Sequence, residues 1–330
     1  MTSATSGHKS RSSEIVFPDA GSVDWGDISL KPLQALGRVR IYHHSRPGQL
    51  AARLRRAEIV ITNKCRLDSR LLARLKSLRS IHATATGVNN IDLKAAQRRG
   101  IAVTNVRDYC SGAVAQYTLA AILALAGSLI ECRDAVRRGY WNGSPFFTLP
   151  GFRIEEVRGK TLGIIGYGSI GRTVARMARA LGMKILVARV PGRHYALSIA
   201  PRRVSFDVVL RQSDYLTIHT PLSPLTRNLI GAAQIRKMKA GAFLINMARG
   251  GIVNEKALKS ALVKGKLGGA AFDVLSQEPP PRRHPLSGAP RLILTPHVSW
   301  ATREVRQRLI AEVLQNIKSW RAGGRRNRVV

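Results

Sequence analysis

Short apolar runs alternate with amphipathic segments along most of the chain. Before residue 110, five runs are typical of buried strands: Glu14 to Phe17, Arg38 to His43, Glu58 to Asn63, Ser80 to Thr84 and Ile101 to Asn105. Helical periodicity separates them at Gln49 to Arg56, Ser69 to Leu75 and Leu93 to Gly100. Because alternating strands and helices pack as a parallel sheet covered by helices, this region is predicted to form a small parallel α/β domain.

A second alternating series begins at residue 161. It contains a strand pattern at Thr161 to Ile165, a helix pattern at Ile170 to Leu181 and a strand pattern at Lys184 to Val190. Four further strand-like runs follow: Tyr215 to His219, Ala242 to Asn246, Ala270 to Val274 and Leu292 to Leu294. The chain is therefore predicted to be an α/β protein of two domains, a Rossmann-type doubly wound parallel sheet plus a smaller flavodoxin-like parallel α/β domain.

A glycine fingerprint joins the first strand of the second series to its helix. Gly166, Gly168 and Gly171 occupy the G-x-G-x-x-G positions of GYGSIG. Gly166 permits a tight turn, Gly168 lets the backbone approach a pyrophosphate, and Gly171 allows close packing of helix and strand. The alternative is a glycine-rich turn without a ligand, but strand, helix and second strand in this order favour a dinucleotide at the helix N-terminus.

A length of 330 residues is enough for two domains, each with its own core. Since the glycine unit begins late and a helical pattern at Arg303 to Arg321 follows the last strand, the smaller domain is expected to be discontinuous. We predict a substrate domain of residues 14–110 and 300–330 and a dinucleotide-binding domain of residues 111–299. Residues 1–13 are predicted to be a disordered tail, and a single long helix from Val114 to Arg138 is predicted to bridge the domains.

The composition is strongly basic. The chain has 54 Lys and Arg against 19 Asp and Glu, a formal net charge of +35. A field of this sign attracts nucleic acid, anionic membranes or anionic metabolites. The basic residues nevertheless form short clusters scattered along the whole chain without interleaved aromatic residues, which is more typical of a solvated surface. Association with nucleic acid stays open but is not favoured.

Other features bear on location. The longest apolar run, Thr118 to Gly127, is too short to cross a bilayer. The N-terminal residues lack the apolar core of a secretory signal, although their lack of acidic residues leaves a transit peptide open. Cys65, Cys110 and Cys132 are odd in number and lack the spacing of metal ligands. We expect reduced thiols, no metal, no membrane partner and a cytoplasmic location.

Three residues that follow predicted strands could act together. Arg249 follows the strand at Ala242 to Asn246, and Glu278 and His297 follow the next two strands. Arginine offers a planar fork for a carboxylate, histidine exchanges a proton near neutral pH, and a carboxylate beside histidine fixes its tautomer. Singly, they could be a surface ion pair, a helix-start residue and a packed residue after proline. Beside a dinucleotide fingerprint at one sheet edge, they form a candidate catalytic set.

From about Glu14 to the C-terminus the chain resembles the D-isomer-specific 2-hydroxyacid dehydrogenases, most closely the glycerate dehydrogenase/hydroxypyruvate reductase branch. The motifs that carry the resemblance are ITNKCRLD, ATGVNNID, SGAVAQYTLA, GKTLGIIGYGSIGRTVAR, HTPLSPLTRNLI, AAFDVLSQEPPP and the surroundings of Arg249 and His297. The resemblance implies transfer of a hydride between a nicotinamide cofactor and a small D-2-hydroxy acid or 2-keto acid, with hydroxypyruvate or glyoxylate as the expected substrates. It also implies a homodimer.

The resemblance further implies residue roles. His297 is the expected general acid paired with Glu278, and Arg249 the expected ligand of the substrate carboxylate, together with the backbone amides of Gly87 and Val88. The expected cofactor contacts are Gly166, Gly168, Ser169, Ile170, Gly171, Thr118, Thr220, Pro221, Thr226, Met247, Ala248 and Asp273. Such enzymes close two domains around the substrate, so the segments near Asp108 to Ser111 and Ser299 to Ala301 are expected to move.

Three positions depart from the family pattern. Asn254 stands where aspartate is common, and Gln116 stands where some members carry glutamate. Arg189, 18 residues after Gly171, occupies the site at which an acid selects NAD. Arg189, with Arg193 close behind, therefore favours NADP over NAD as the cofactor, the alternative being that Arg189 points into solvent.

A competing class remains. Relatives of the family include transcriptional corepressors that use the fold as a nucleotide-sensing binding module, and a basic surface suits association with nucleic acid. The Arg249, Glu278 and His297 set favours the enzyme. The sequence does not determine which 2-keto acid is preferred, since the pocket depends on loops from several parts of the chain.

Overall fold

The computed structural model describes residues 14–195 and 202–330. The segment predicted as a disordered tail, residues 1–13, lies outside the described residues. The chain divides into two compact units. The first comprises the residues up to Tyr109 together with Ala301–Val330, and the second comprises Cys110–Trp300.

Eleven strands are assigned in the described residues. They are β1 (Ile15–Phe17), β2 (Val39–Ile41), β3 (Ile59–Thr62), β4 (Ser80–Ala83), β5 (Ala102–Thr104), β6 (Thr161–Ile165), β7 (Lys184–Val187), β8 (Tyr215–Ile218), β9 (Ala242–Asn246), β10 (Leu267–Phe272) and β11 (Leu292–Leu294).

The same residues contain eleven α-helices. They are α1 (Lys31–Gln34), α2 (Pro47–Leu54), α3 (Ser69–Arg74), α4 (Leu93–Arg98), α5 (Ser111–Ala126), α6 (Leu129–Arg137), α7 (Ser169–Ala180), α8 (Phe206–Gln212), α9 (Ala232–Lys237), α10 (Glu255–Val263) and α11 (Arg303–Arg321).

The first unit is built on a five-stranded parallel sheet in the order β2-β1-β3-β4-β5. This is the flavodoxin-like order, in which β2 is added on one side of β1 and β3 on the other, so that the order of strand addition reverses between β1 and β3. Every residue of β1, β3 and β4 is buried, as expected of strands covered on both faces. The apolar core of this unit is made largely of Val, Leu, Ile and Ala side chains.

The C-terminal segment belongs to the first unit through polar contacts as well as packing. Arg306 of α11, only 2% exposed, forms a bidentate ion pair with Asp27, with both distances 2.6 Å. Its guanidinium carbon also lies 4.1 Å from the centroid of the Trp25 ring. The hydrogen bond from Arg306 holds the pKa of Asp27 below its usual range. Arg306 thus fastens the last helix to residues far away in sequence.

The second unit contains a six-stranded parallel sheet in the order β11-β10-β9-β8-β6-β7. A parallel bridge from Ala188 to Val204 extends the sheet beyond β7 by one residue pair. With Val204 counted as the third strand, the order from that edge is 3-2-1-4-5-6 and then β11, the Rossmann order with one strand added. The predicted fold class, a doubly wound sheet plus a smaller α/β domain, is confirmed.

The prediction of one helix from Val114 to Arg138 is wrong. Helix α5 ends at Ala126, α6 begins at Leu129, and their axes are bent by 60°. Ser128 adopts a left-handed backbone conformation with φ of 47°, and its hydroxyl donates to the carbonyl oxygen of Arg153 at 2.6 Å. Gly127 and Ser128 interrupt the helical pattern because both residues favour helix ends. Of the described helices, none is by itself long and apolar enough to span a membrane, and α5 with α6 passes that test only as a bent pair.

Three helices of the second unit, α8, α9 and α10, were not predicted, and each follows a strand or the Val204 bridge. Two begin at side-chain caps: Ser205 accepts from the amide of Val208 at 3.3 Å, and Asn254 accepts from that of Ala257 at 2.9 Å. Asn254, one of the departures from the family pattern, therefore works as a helix cap. Ser205 and Asn254 could have predicted the starts of α8 and α10 from the sequence, but sequence reasoning missed them.

A buried histidine in the first unit generates a pH prediction. His82 on β4 has no exposed surface, and its ring nitrogens lie 2.8 Å from Thr104 Oγ1 and 3.1 Å from Ser80 Oγ. Burial, with a smaller contribution from Arg321, lowers the pKa of His82 from 6.5 to about 3. Since the folded-state pKa is depressed, neutral His82 contributes its full stability above pH 6.5 and loses it as the pH falls.

We expect the free energy of unfolding to fall by up to about 1.4 kcal/mol per pH unit for this one group below its unfolded-state pKa. The variant His82→Gln should flatten that decline, whatever its stability at neutral pH, because glutamine does not titrate. Chemical denaturation of wild type and variant at about pH 7.5 and pH 5 measures the difference. Identical pH dependence in the two proteins would contradict the assignment.

Candidate active site

The candidate catalytic residues follow three neighbouring strands. β9, β10 and β11 pair in parallel, with Asn246 opposite Phe272 and Phe272 opposite Leu294. The carboxyl ends of the three strands therefore meet at one edge of the sheet, where ligands of open α/β sheets bind. Arg249, Glu278 and His297 lie in the segments that leave this edge.

His297 and Glu278 form a direct pair although 19 residues separate them. His297 Nδ1 lies 2.6 Å from Glu278 Oε2, and the two side chains are 26% and 36% exposed. The other carboxylate oxygen, Oε1, accepts from the amide of Leu275 at 2.8 Å. Since the Nδ1 proton faces a carboxylate, Nε2 is the nitrogen left to exchange a proton with a substrate. The predicted pairing is present within this unit.

A buried aspartate fixes the loop that carries His297. Asp273, 1% exposed, accepts from Thr295 Oγ1 at 2.6 Å, from the Val298 amide at 2.9 Å and from the Ser299 amide at 2.8 Å. His297 lies inside this loop with a φ of +57°, a conformation that a non-glycine residue rarely adopts. The three hydrogen bonds hold a strained backbone position and so aim the imidazole. Whether Asp273 also contacts a nicotinamide stays a prediction.

The turn that carries Arg249 is fastened from both sides. Asn246 Nδ2 donates to the Arg249 carbonyl oxygen at 2.9 Å, and Asn246 Oδ1 accepts from the Ala248 amide at 3.0 Å. Gly250 lies so close to the segment after β10 that a Cβ atom there would be 1.8 Å from the Leu275 carbonyl oxygen. The guanidinium is exposed and donates to the Ala248 carbonyl oxygen at 2.7 Å. Only glycine at 250 lets the Arg249 turn and the Glu278 segment touch.

Glu255 ties both ends of the segment that carries Glu278, and sequence reasoning missed it. Its Oε1 accepts from the Ser276 amide at 2.7 Å, and its Oε2 accepts from Ser276 Oγ at 2.7 Å and lies 3.2 Å from His284 Nε2. The Glu255 and His284 side chains are 9% and 6% exposed. The Leu286 amide faces His284 Nδ1 at 3.3 Å, which assigns the ring proton to Nε2, toward Glu255.

The glycine fingerprint lies at the switch point of the six-stranded sheet, between β6 and β8. Gly166 has a φ of +94°, and a Cβ atom there would lie 2.3 Å from the His219 carbonyl oxygen. Gly168, by contrast, faces open space, with no atom within 4 Å of such a Cβ. Nearby, the buried Oγ1 of Thr220 has no hydrogen-bond partner among the described residues. An open cradle at the start of α7 with an unsatisfied hydroxyl fits a pyrophosphate-containing nucleotide.

The other predicted cofactor contacts are placed as follows. Ser169 and Ile170 open α7, and Gly171 is buried in its first turn. Thr226 Oγ1 donates to the Pro221 carbonyl oxygen at 2.7 Å and closes the turn after β8. Met247 is buried and Ala248 half-buried after β9. Thr118, the eighth residue of α5, is fully buried, and its hydroxyl donates to the Val114 carbonyl oxygen at 2.7 Å.

Two arginines line a cavity next to the glycine fingerprint. The cavity, of about 200 Å³, is lined by the fingerprint turn, the residues after β8, and Arg193, Tyr195 and Arg203. The Arg203 guanidinium carbon lies 4.5 Å from the Tyr195 ring centroid and 5.9 Å from that of Tyr167. Arg189 is exposed just after β7 and does not line this cavity. Sequence reasoning missed Arg203 because Arg202-Arg203 reads as one more surface cluster, and only the bridge from Val204 to Ala188 brings it here.

The first unit contains the remaining predicted contacts, Gly87 and Val88. Both are half-buried in the loop after β4. Thr86 Oγ1 donates to the Val106 carbonyl oxygen at 2.8 Å, and Asn105 Nδ2 donates to the Thr86 carbonyl oxygen at 2.8 Å. These bonds order the loop, and its contact with a substrate carboxylate stays a prediction.

Comparison with known proteins gives the class of the chain. Residues 119–299 match the family model of the D-isomer specific 2-hydroxyacid dehydrogenase, NAD binding domain. The chain belongs to this family, and the resemblance inferred from its motifs is confirmed. It is thus an NAD(P)-dependent oxidoreductase that acts on the CH–OH group of 2-hydroxy acids.

Particular relatives narrow the comparison. A glycerate dehydrogenase of Methylorubrum extorquens is 42% identical over 285 residues, which is 85% of this chain and 88% of the relative. A hydroxypyruvate reductase of Blautia hydrogenotrophica is 34% identical over 94% of this chain and 97% of the relative. The solved structure of an acyclic imino acid reductase in complex with NADPH and D-Arg matches with a TM-score of 0.83 and 25% identity, covering 96% of this chain and all of that one.

The Glu255 contacts generate a prediction about positioning. Glu255→Gln presents an amide NH₂ group where Ser276 and His284 both donate, so the Glu278 segment should loosen and His297 lose its fixed partner. We expect kcat for 2-keto acid reduction to fall about 10-fold or more, with KM for the cofactor unchanged. Glu312→Gln is the matched control, because Glu312 lies on α11 and forms an ion pair only with Arg326 among the described salt bridges. Equal losses in both variants would contradict a positioning role for Glu255.

Proposed function

We propose that this protein reduces a small 2-keto acid to the D-2-hydroxy acid, with hydroxypyruvate or glyoxylate as the substrate, in the manner of a D-glycerate dehydrogenase. The observation that carries the proposal is the His297 to Glu278 pair at 2.6 Å, at the same sheet edge as Arg249. The names of the relatives, glycerate dehydrogenase and hydroxypyruvate reductase, support the choice of substrate. The alternative of a nucleotide-sensing corepressor gains no support from them.

Each residue of the candidate site has a separate role in the proposed reaction. The nicotinamide cofactor, when bound, supplies the hydride equivalent. His297 donates the proton from Nε2 to the carbonyl oxygen, and Glu278 stabilises the imidazolium form and keeps the ring orientation. Arg249 binds the substrate carboxylate through two parallel N–H groups and polarises the adjacent carbonyl. Gly87 and Val88 amides are proposed to bind the second carboxylate oxygen. The first unit is thereby the substrate domain and the second the dinucleotide-binding domain.

Substitution of the proton donor tests this function. His297→Ala should lower kcat for hydroxypyruvate reduction by about 10² to 10⁴-fold, since general acid catalysis contributes that much. Arg249→Ala should raise KM and lower kcat together. Cofactor binding, followed by fluorescence titration, should survive in both variants. Arg236→Ala, an exposed arginine on α9, is the control for loss of charge. Near-normal reduction of hydroxypyruvate and glyoxylate by the His297 variant would refute the mechanism.

We also propose that NADP is preferred over NAD. Arg189 stands where an acid would repel a 2′-phosphate, and Arg193 and Arg203 line the adjacent cavity. Two guanidinium groups at one cavity, with Arg189 in the segment just after β7, suit a phosphate dianion. Arg189 is exposed, so the solvent-facing alternative is the one to exclude by experiment.

The ratio of kcat/KM for NADPH and NADH tests this preference. Wild type should favour NADPH. Arg189→Asp should shift the ratio toward NADH by about 10-fold or more, or about 1.4 kcal/mol, by removing an attraction and adding a repulsion. Arg203→Ser should shift it in the same direction, whereas Arg236→Ser should not. A wild-type preference for NADH of about 10-fold would reject the proposal.

A homodimer is proposed from an exposed apolar surface in the second unit. Its members are Leu129, Tyr140, Trp141, Phe146 and Phe147, which are 49% to 92% exposed. Since large exposed apolar surfaces are typical of interaction sites, a second copy of the chain is the proposed partner for these side chains.

We also propose that the segments Asp108 to Ser111 and Ser299 to Ala301 act as hinges. The boundaries between the two units, at Tyr109 to Cys110 and Trp300 to Ala301, fall within these segments. A cytoplasmic location is likewise proposed.

A further inference from the structure

A crevice in the first unit lies where the strand order reverses. It has a volume of about 760 Å³ and is lined by residues that follow β1, β2 and β3 and by helices α2 and α3. In an open parallel sheet, the crevice at the carboxyl ends of the strands beside such a switch point is the usual ligand position. The volume lies within the range of small-molecule sites. None of its lining residues belongs to the catalytic or cofactor sets described above.

A buried carboxylate joins two walls of the crevice. Asp19, 7% exposed after β1, accepts from the amides of Asn63, Lys64 and Cys65 at 3.0, 2.6 and 3.1 Å and from Thr62 Oγ1 at 3.2 Å. Successive backbone amides that converge in this way form an anion-binding concavity. Because Asp19 fills it, an external anion must be bound by side chains.

The third wall is fixed by a separate network. Ser45, 6% exposed, donates from Oγ to the Pro18 carbonyl oxygen at 2.6 Å. Arg53 Nη1 donates to the His44 carbonyl oxygen at 2.7 Å and to Ser45 Oγ at 2.6 Å. The loops after all three strands are thus tied together, and the crevice exists without a ligand to order it.

One side of the crevice is cationic. Arg70 and Arg74 lie one helical turn apart on α3, and neither forms an ion pair with a described residue. Arg66 approaches an acid only distantly, with 3.9 Å to Asp68 Oδ2. Asp68 is partly used elsewhere, since its Oδ1 caps α3 by accepting from the Leu71 amide at 2.9 Å. Three guanidinium groups therefore face one crevice with little internal compensation.

The lining residues that are not cationic indicate what kind of ligand the crevice suits. Pro47, Leu50, Ala51 and Leu71 give the crevice an apolar side. No Phe, Tyr or Trp side chain lines it among the described residues, which disfavours the stacking that single-stranded nucleic acid requires. One arginine satisfies a planar carboxylate, whereas a phosphate with three terminal oxygens can engage several guanidinium groups.

We propose that this crevice binds a phosphomonoester, a small metabolite with one terminal phosphate on a compact organic body. The phosphate is bound by Arg66, Arg70 and Arg74, and the organic part packs against Leu50 and Leu71. The proposal gives part of the positive charge of this chain a specific use. It does not depend on the proposed reductase activity.

Isothermal titration of the full-length protein with ribose 5-phosphate tests the proposal, with saturating NADPH present to keep the probe from the fingerprint. Wild type should bind the probe and should not bind ribose, which lacks the phosphate. The double variant Arg70→Ser/Arg74→Ser should weaken binding about 10-fold or more. Its melting temperature should be unchanged, because both arginines are exposed and unpaired.

A charge-matched control separates this site from the general field of a basic protein. Arg236→Ser/Arg308→Ser removes two exposed arginines elsewhere and should bind ribose 5-phosphate as wild type does. Equal weakening in the two double variants, or no binding by wild type, would overturn the proposal. The readout is heat of binding, so a failure of the reductase function would leave this result interpretable. If the protein did not bind NADPH, the same comparison of variants would still locate the phosphate.

Discussion

The candidate active site depends most on the hydrogen bonds that the Asp273 carboxylate accepts from the loop after β11. The two carboxylate oxygens bind three donors of the loop after β11, and that loop carries His297 in a backbone conformation that costs free energy. A buried carboxylate with three charge-assisted hydrogen bonds outweighs such a strain of about 1 to 3 kcal/mol. The orientation of the imidazole therefore depends on a carboxylate that follows the neighbouring strand β10 and holds the residues on both sides of His297.

The same device recurs across this chain. Glu255 fastens both ends of the Glu278 segment, Asp19 fills a ring of amides after β3, and Asp27 receives Arg306. The chain has only 19 acidic residues and a net charge of +35. Four of these acids, Asp273, Glu255, Asp19 and Asp27, accept hydrogen bonds from other groups of the chain. Each of the four joins segments that are distant in sequence. The backbone hydrogen bonds of strands and helices do not fix the loops between them, so these side-chain hydrogen bonds do.

Much of the fold was legible from the sequence because its signals are local. Apolar runs of strand length and the glycine fingerprint predicted both sheets, and β6, β9, β11 and α11 have the predicted bounds. The break between α5 and α6 was missed because residues on both sides are good helix formers. Arg249, Glu278 and His297 could be named because each follows a recognisable strand and offers a distinct chemistry.

What the sequence could not determine is how the loops after those strands are fixed. Glu255 reads as an ordinary helix-start residue and Arg203 as one of many surface arginines, and only the packing shows what each touches. The sequence alone determined the alternation of elements, the glycine turn and the kinds of reactive groups, because propensity and periodicity act over a few residues. Tertiary structure decided the His297 to Glu278 pairing and the loop geometry around it, because those contacts join residues about 20 positions apart through the register of a parallel sheet.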